Sequence, residues 1–347
     1  MSNLPKVTIQ LVTWNSLKYL PFTLESIFAQ TYRDFQVLVI DNNSHDGTID
    51  YIRKNYPEVA VFQNKKNLGF AKANNQGIRL LHSAYVLFCN TDIVLEKNWL
   101  ELMMQNIESD KYKDVGSFCG KLLKLKPIDN EIDQTSKTNI IDSCGLVITR
   151  SRRITELGAG EESEKFNTNR EIFGCSGALA IYKRETLDDC LIKTKFNSNG
   201  EYFDEDFFVY KEDVDLAWRS RLFGWKSMLI VEAVAYHVRS AAGSEHTGLM
   251  DIIKNRKKQS FFARYYSYRN HLLLLLKNEM SKNFLNDFWQ IKCFEIKKAV
   301  YVLMFEIRSV QAWWEILKML PRILAKRKEI IRKTKISYQD MAKLIQK

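Results

Sequence analysis

Proline and glycine are scarce in this 347-residue chain, five and fourteen respectively, so no long flexible linker is written into it. The six cysteines, Cys89, Cys119, Cys144, Cys175, Cys190 and Cys293, form no CxxC pair and no zinc-ligand spacing, which argues against a structural zinc module. Met1 to Lys6 runs into a strand without an apolar signal-like stretch, so reduced thiols and a cytoplasmic setting are expected. No apolar run approaches the ~18 residues that cross a bilayer; the longest are Leu272–Leu276 and Ala299–Phe305. Attachment to the inner face of the cell membrane is the most that such a chain would make. Acid is scarce at one end. From Asp251 to Lys347 there are 22 Lys and Arg against 8 Asp and Glu, within a net charge of +11. A basic tail on a mildly acidic body points to an anionic partner surface. No nucleic-acid motif accompanies it, so nucleic acid is not expected.

What is present begins with a rhythm. Val7–Val12, Phe35–Ile40, Val59–Phe62 and Tyr85–Cys89 are short and rich in β-branched or aromatic residues. Amphipathic helical patterns such as Leu17–Ala29 and Gly69–Leu81 lie between them, which predicts a mostly parallel, helix-flanked α/β sheet. Ligands of such sheets sit beyond the carboxyl ends of strands. Those ends are Thr13-Trp14-Asn15, Asp41-Asn42-Asn43-Ser44 and Asn90-Thr91-Asp92, all polar. Further on, Leu122 to Asn139 reads as a loop, Gly145–Thr149 and Phe173–Tyr182 as strands, and Glu212–Phe223 as a helix. Lys226–Val231 and Ala233–His237 read as two more strands. The expected division is a catalytic domain over 1–250 and a basic amphipathic helical extension over 251–347.

Four stretches carry chemistry. Asp92, after a buried strand, suits a hard cation beside a diphosphate, although on the tripeptide alone capping of the next turn is the better explanation. Gly69 within Asn67-Leu68-Gly69-Phe70-Ala71-Lys72 opens a helix whose N-terminus favours phosphate, or is simply a capped helix. The segment from Phe203 to Arg219 packs six acids (Asp204, Glu205, Asp206, Glu212, Asp213, Asp215) among aromatics. Its aromatics are expected to draw these acids toward a cleft, where desolvation can tune a general base. His237 closes an apolar strand and reads most simply as structural.

Together these segments resemble the family 2 glycosyltransferases with the GT-A fold, in particular a rhamnosyltransferase-like branch. The matching motifs, in order, start at Val12-Thr13-Trp14-Asn15, Val39–Ser44, Asn67–Ala71 and Leu87–Asp92, and end at Gly174–Ala178 and Phe203–Leu216. The resemblance implies an inverting sugar transfer from a nucleoside diphosphate donor, dTDP-rhamnose or a UDP-sugar. The implied acceptor is a hydroxyl of a glycan or lipid-linked saccharide in cell-surface polysaccharide synthesis, with a noncatalytic sugar-nucleotide-binding relative as the alternative. Asp213 would be the base. Asp41, Thr13, Asn15 and Asn43 would seat the nucleoside, with Asn67, Gly69, Lys72, Asn90 and Thr91 along the donor. Ser176, Gly177 and Glu212 would border the donor sugar and acceptor. Asp92 and His237 would hold Mg²⁺ or Mn²⁺, with one charge fewer than the usual acid-x-acid triad because position 90 is Asn.

The tail supplies a last expectation. Trp313, Trp314, Leu317, Leu320, Ile323 and Leu324 alternate with Lys318, Arg322, Lys326, Arg327 and Lys328 around Pro321. This suits an interfacial helix on anionic lipid, or a cap on the catalytic fold or a homo-oligomer contact.

Overall fold

A computed structural model describes residues 5–80, 82–128, 131–238, 256 and 259–346. The first half follows the strand–helix rhythm of the sequence. Strands β1 (Val7–Thr13), β2 (Phe35–Asp41), β3 (Ala60–Gln63) and β4 (Tyr85–Cys89) alternate with helices α1 (Leu20–Phe28), α2 (Thr48–Asn55) and α3 (Phe70–Leu80). A short β5 (Ile93–Leu95) precedes α4 (Trp99–Ile107). Next come β6 (Val115–Leu125), β7 (Lys137–Ser143), β8 (Leu146–Thr149), β9 (Ile154–Glu156), β10 (Arg170–Ile172) and β11 (Leu179–Lys183). Helix α5 (Arg184–Cys190), the hairpin β12 (Ile192–Thr194) and β13 (Asn197–Glu201), α6 (Glu212–Leu222) and β14 (Lys226–His237) follow.

The main sheet runs β10-β14-β6-β11-β4-β1-β2-β3, with β5 added to β14 and β7 to β6. Strands β4, β1, β2 and β3 pair in parallel, and β11 lies antiparallel to β4. Side chains alternate across this sheet as the pleat requires. Leu87 and Cys89 face the core that contains α1 and α4. Val86 and Phe88 face the opposite core with α3 and α6.

Three sequence expectations change. Leu122–Leu125 belongs to β6 and Lys137–Asn139 to β7, rather than to a loop over 122–139. Lys121 and Lys124 dilute the local apolar pattern, whereas the hydrogen bonds come from pairing with distant β14. Within the expected strand Phe173–Tyr182 only the part from Leu179 is strand. There the Arg221 guanidinium donates to the carbonyls of Ile172 and Phe173, taking acceptors that a ladder would need. Lys226–Val231 and Ala233–His237 form the single strand β14, whose register against β6 shifts between Ile230 and Val234.

The tail is helical: α7 (Phe261–Asn278), α8 (Ser281–Asn286), α9 (Phe288–Phe305), α10 (Gln311–Lys333) and α11 (Tyr338–Lys343). Leu273 and Leu274 of α7 and Ile316, Ile323 and Ile330 of α10 enter the same core as Phe203, Phe207 and Leu216. A final β15 (Ile345–Gln346) pairs with β8. No helix among the described residues is long and apolar enough to cross a membrane.

Candidate active site

The register of two strand pairs assembles the site. Strand β11 lies against β4 with Leu179 opposite Cys89, so the loop before β11 meets the residues after β4, and Asn90 N–H donates to the Ala178 carbonyl at 2.9 Å. Strand β5 lies against β14 with Ile93 opposite His237, which sets Asp92 beside that histidine. The result is a cleft of about 450 Å³ whose lining includes Asn90, Asp92, Ser176, Gly177, Glu212, Asp213 and His237.

Asp213 stands in the first turn of α6. Its Oδ1 accepts the Val214 N–H at 2.7 Å and its Oδ2 accepts the Gly177 N–H at 2.8 Å. Two backbone donors and a helix N-terminus favour the carboxylate in this pose. The contact requires glycine at 177, since a Cβ there would lie 2.8 Å from Asp213 Cβ. Glu212 beside it is buried, and its Oε2 has no hydrogen-bond partner among the described residues. Burial, then the charge of Asp213, raises its carboxyl to about 8 from an ordinary 4.5.

This shift has a measurable sign. Below pH 4.5 Glu212 is neutral in folded and unfolded chains alike. Between about 4.5 and 8 the unfolded chain has lost a proton that the fold keeps, so stability falls with rising pH by up to about 1.4 kcal/mol per unit, then levels off. Replacing Glu212 by Gln should therefore raise the melting temperature relative to wild type by an amount that grows from pH 5 to pH 9. An unchanged difference across that range in calorimetric scans would show that Glu212 ionises freely.

The loop before α6 is strained. Phe208 (φ 63°), Tyr210 (φ 68°) and Lys211 (φ 70°) all adopt left-handed backbone, at about 1–3 kcal/mol each. Asn270 of α7 holds it there: its amide donates to the carbonyls of Phe207, Val209 and Tyr210 at 2.7–2.9 Å. The Phe208 carbonyl in turn accepts the N–H groups of Phe70 and Ala71. Gly69 permits this approach, with φ +81° and a Cβ position only 2.5 Å from that carbonyl. The Gly69 N–H is capped by Asn67 Oδ1. The first N–H groups of α3 are thus engaged within the protein rather than presented to a phosphate.

The acid-rich segment divides. Glu212 and Asp213 line the cleft, but Asp204, Asp206 and Asp215 do not, contrary to the expectation that the aromatics draw all six toward it. Lys277 of α7 pairs with Asp204 and with Asp215 (2.6 Å). Lys326 of α10 pairs with Glu201, Asp204 and Asp206. Although burial opposes it, the two ammonium groups hold Asp204 well below the usual carboxylate range. Glu205 receives the Asn75 amide and lies 3.6 Å from Lys72.

On the far wall His237 is buried between two carboxylates, its Nε2 3.2 Å from Asp92 Oδ1 and its Nδ1 2.8 Å from Asp142 Oδ2. Burial disfavours its charge, but the bonds to Asp142 and Asp92 outweigh that and raise it to about 9. Once the Nε2 proton is displaced, Asp92 Oδ1 and His237 Nε2 are a donor set for a hard divalent cation, and a carboxylate on the other ring nitrogen orients a ligating histidine. Among the described residues no group of three or more His, Cys, Asp or Glu could hold a metal alone. Asp92 and His237 therefore fit a cation completed by phosphate oxygens and water.

At the ends of β1 and β2, Asp41 is fully buried and accepts from Thr13 Oγ1 (2.8 Å), Ser44 Oγ (2.6 Å) and Ser44 N–H (3.0 Å). Asn15 Oδ1 accepts the His45 N–H, and Asn43 contacts the His45 ring. Thr91 follows Asn90 on the turn into β5. Sequence reasoning missed Asp142 and Glu156. Asp142, an acid inside the apolar run Ile140–Cys144, carried a usable signal. Glu156 carried none, yet it lines the cleft and accepts the hydroxyls of Ser143 and Ser176.

Comparison with known proteins adds the following. The family model described as Glycosyl transferase family 2 matches residues 8–191. An uncharacterized glycosyltransferase of Haemophilus influenzae is 28% identical over 122 residues, 34% of this chain and 38% of its own length. Poly-beta-1,6-N-acetyl-D-glucosamine synthase of Staphylococcus aureus is 23% identical over 276 residues, 75% of this chain and 60% of the synthase. The chain thus spans less than two thirds of the length of these relatives. Among solved structures, S. aureus TarS 1-349 aligns with TM-score 0.54 at 18% identity over 94% of this chain and 88% of that one. Mannosyltransferase PcManGT from Pyrobaculum calidifontis, in complex with GDP-Man and Mn²⁺, gives 0.50 at 15% identity over 96% and 86%. These structural likenesses concern the fold.

Proposed function

Because this chain belongs to glycosyl transferase family 2 and has the GT-A fold, we propose that it moves a sugar from a pyrimidine nucleoside diphosphate to a hydroxyl of a glycan or lipid-linked saccharide, inverting the anomeric carbon. The observation that carries this reading is Asp213, a cleft carboxylate fixed by the Gly177 N–H opposite the Asp92–His237 wall.

Asp213 takes the proton of the acceptor hydroxyl as that oxygen attacks the anomeric carbon and the nucleoside diphosphate leaves. One displacement inverts configuration. Thr13, Asn15, Asp41 and Asn43 seat the nucleoside, and Asn67, Gly69, Lys72, Asn90 and Thr91 line the donor's path. Ser176, Gly177 and Glu212 border the sugars. Asp92 and His237 would hold Mg²⁺ or Mn²⁺, and such a cation would supply positive charge beside the diphosphate. TarS 1-349 has been crystallised with UDP-GlcNAc, which favours a UDP-sugar over dTDP-rhamnose.

The metal half of the proposal is tested by titrating UDP and dTDP calorimetrically with Mn²⁺ and with chelator. Wild type should bind one of them at least tenfold more tightly with Mn²⁺, and Asp92→Ala should lose that gain. Equal affinity of the wild type with chelator would remove Asp92 and His237 from metal binding.

A further inference from the structure

The surface of α9 and α10 carries an apolar pattern that the transferase reading does not use. Only Ile291 and Val302 of α9 are buried. Trp289, Cys293, Ile296, Val300 and Leu303 recur every three or four residues on its outward side, with Trp289 73% and Ile296 59% exposed. Met304, Phe305 and Ile307 extend the exposure into the turn before α10. On α10 the same spacing puts Trp314 (68%), Leu317, Leu324 and Ile331 outward. Exposed large apolar residues usually occur singly; here they form helical stripes.

The sequence placed this behaviour on one helix, and the structure redistributes it. Ile323 is buried in the main core, Trp313 is half-buried against Tyr268, and Leu320 is also half-buried. Lys326 points inward to the acids Glu201, Asp204 and Asp206. The inward face of α10, with Ala312, Ile316, Ile323 and Ile330 buried, therefore fixes its outward face as part of a rigid body.

Charge decides what could cover it. From Phe288 to Lys333 the charged residues left exposed are cations, Lys292, Lys297, Arg308, Lys318, Lys328 and Arg332, and the one acid with a largely exposed side chain, Glu315, is held by Arg269. The four acids of that stretch are paired, Glu295 with His271, Glu306 with Arg256, Glu315 with Arg269 and Glu329 with Arg332. A second copy laid on this face would bring like charges together across a symmetric contact. An anionic bilayer attracts each such cation by about 1 kcal/mol, and its interface accommodates tryptophan and the apolar stripe. We infer that the outward face of α9 and α10 docks on an anionic lipid surface. This inference does not depend on the transferase reading.

The test is flotation of the full-length protein with vesicles of phosphatidylcholine alone or with 30% phosphatidylglycerol (about 0.1 M salt in each case). Wild type should float with the anionic vesicles at least tenfold more than with neutral ones. The variant Trp289→Ser/Ile296→Ser/Trp314→Ser should lose most of that recovery, as should Lys292→Gln/Lys297→Gln/Lys318→Gln/Lys328→Gln. Circular dichroism melts like those of wild type identify variants that remain folded. Equal flotation with both vesicle types would overturn the inference. So would variants that float like wild type, or a concentration-dependent dimer, abolished by the tryptophan variant, in a protein that binds no vesicle.

Discussion

Replacing Lys326 by Met should lower the unfolding free energy by about 3–5 kcal/mol, the range for removing one partner from a buried ion pair. Lys326 is 3% exposed, and its ammonium touches three carboxylates, those of Glu201, Asp204 and Asp206. Its contact with them raises it above its ordinary value in spite of burial. Without it Lys277 is the one ammonium left on Asp204 among the described residues, and Lys277 is shared with Asp215. Asp206 retains Arg322 at 2.6 Å, and Glu201, which burial and Asp204 already raise to about 7, would take up a proton. Adding Asp204→Asn to Lys326→Met should recover part of the loss, because it deletes one of the stranded charges. Urea denaturation at pH 7 measures both. A loss below about 1 kcal/mol, the size of an exposed pair, would mean that water reaches the cluster. The same substitution should also impair turnover, since Asp204 to Asp206 leads directly into the strained loop that Asn270 clamps ahead of Asp213.

This network marks where the sequence stopped being readable. The parallel strands β1 to β4 were legible because their side-chain pattern and spacing are local, and the polar strand ends followed from them. The helix start that carries Glu212, Asp213 and Asp215 was legible too, whereas the choice of Asp213 among them rested on the family resemblance. That Asp204 and Asp215 share one lysine, Lys277, 73 and 62 positions downstream, is a tertiary fact. Six acids in a row of twelve look alike until α7 and α10 dock on them. The docking also decided which way α10 faces: an amphipathic pattern locates a stripe, but Lys326 and Ile323 point inward while Trp314 points outward, and only packing separates them. His237 shows the same limit. Its apparent role as a strand residue gave way to a contact with Asp142, 95 residues away, created by β-strand register that no local pattern encodes.

The substitution with the largest effect on chemistry is Asp213→Asn. An amide is nearly isosteric with the carboxylate, so the Val214 and Gly177 contacts can keep the side chain near its place, although only the amide oxygen can accept. What the amide cannot do is take a proton. General base catalysis of this kind contributes about 10²- to 10⁴-fold, and turnover should fall by that amount. Nucleoside diphosphate affinity should stay within about threefold, because the groups proposed to seat the nucleotide lie at the carboxyl ends of β1, β2 and β4 and at the start of α3 rather than on α6. A donor-binding role would instead raise KM with kcat intact. Glu212, neutral up to about pH 8, is not a base at pH 7 that could substitute for it. The direct measurement is release of nucleoside diphosphate from the donor at saturating acceptor, wild type against Asp213→Asn, with donor affinity measured by calorimetry on the same preparations. A drop of at least a hundredfold in kcat with donor binding retained is the predicted result; turnover within tenfold of wild type would contradict it and place the base elsewhere.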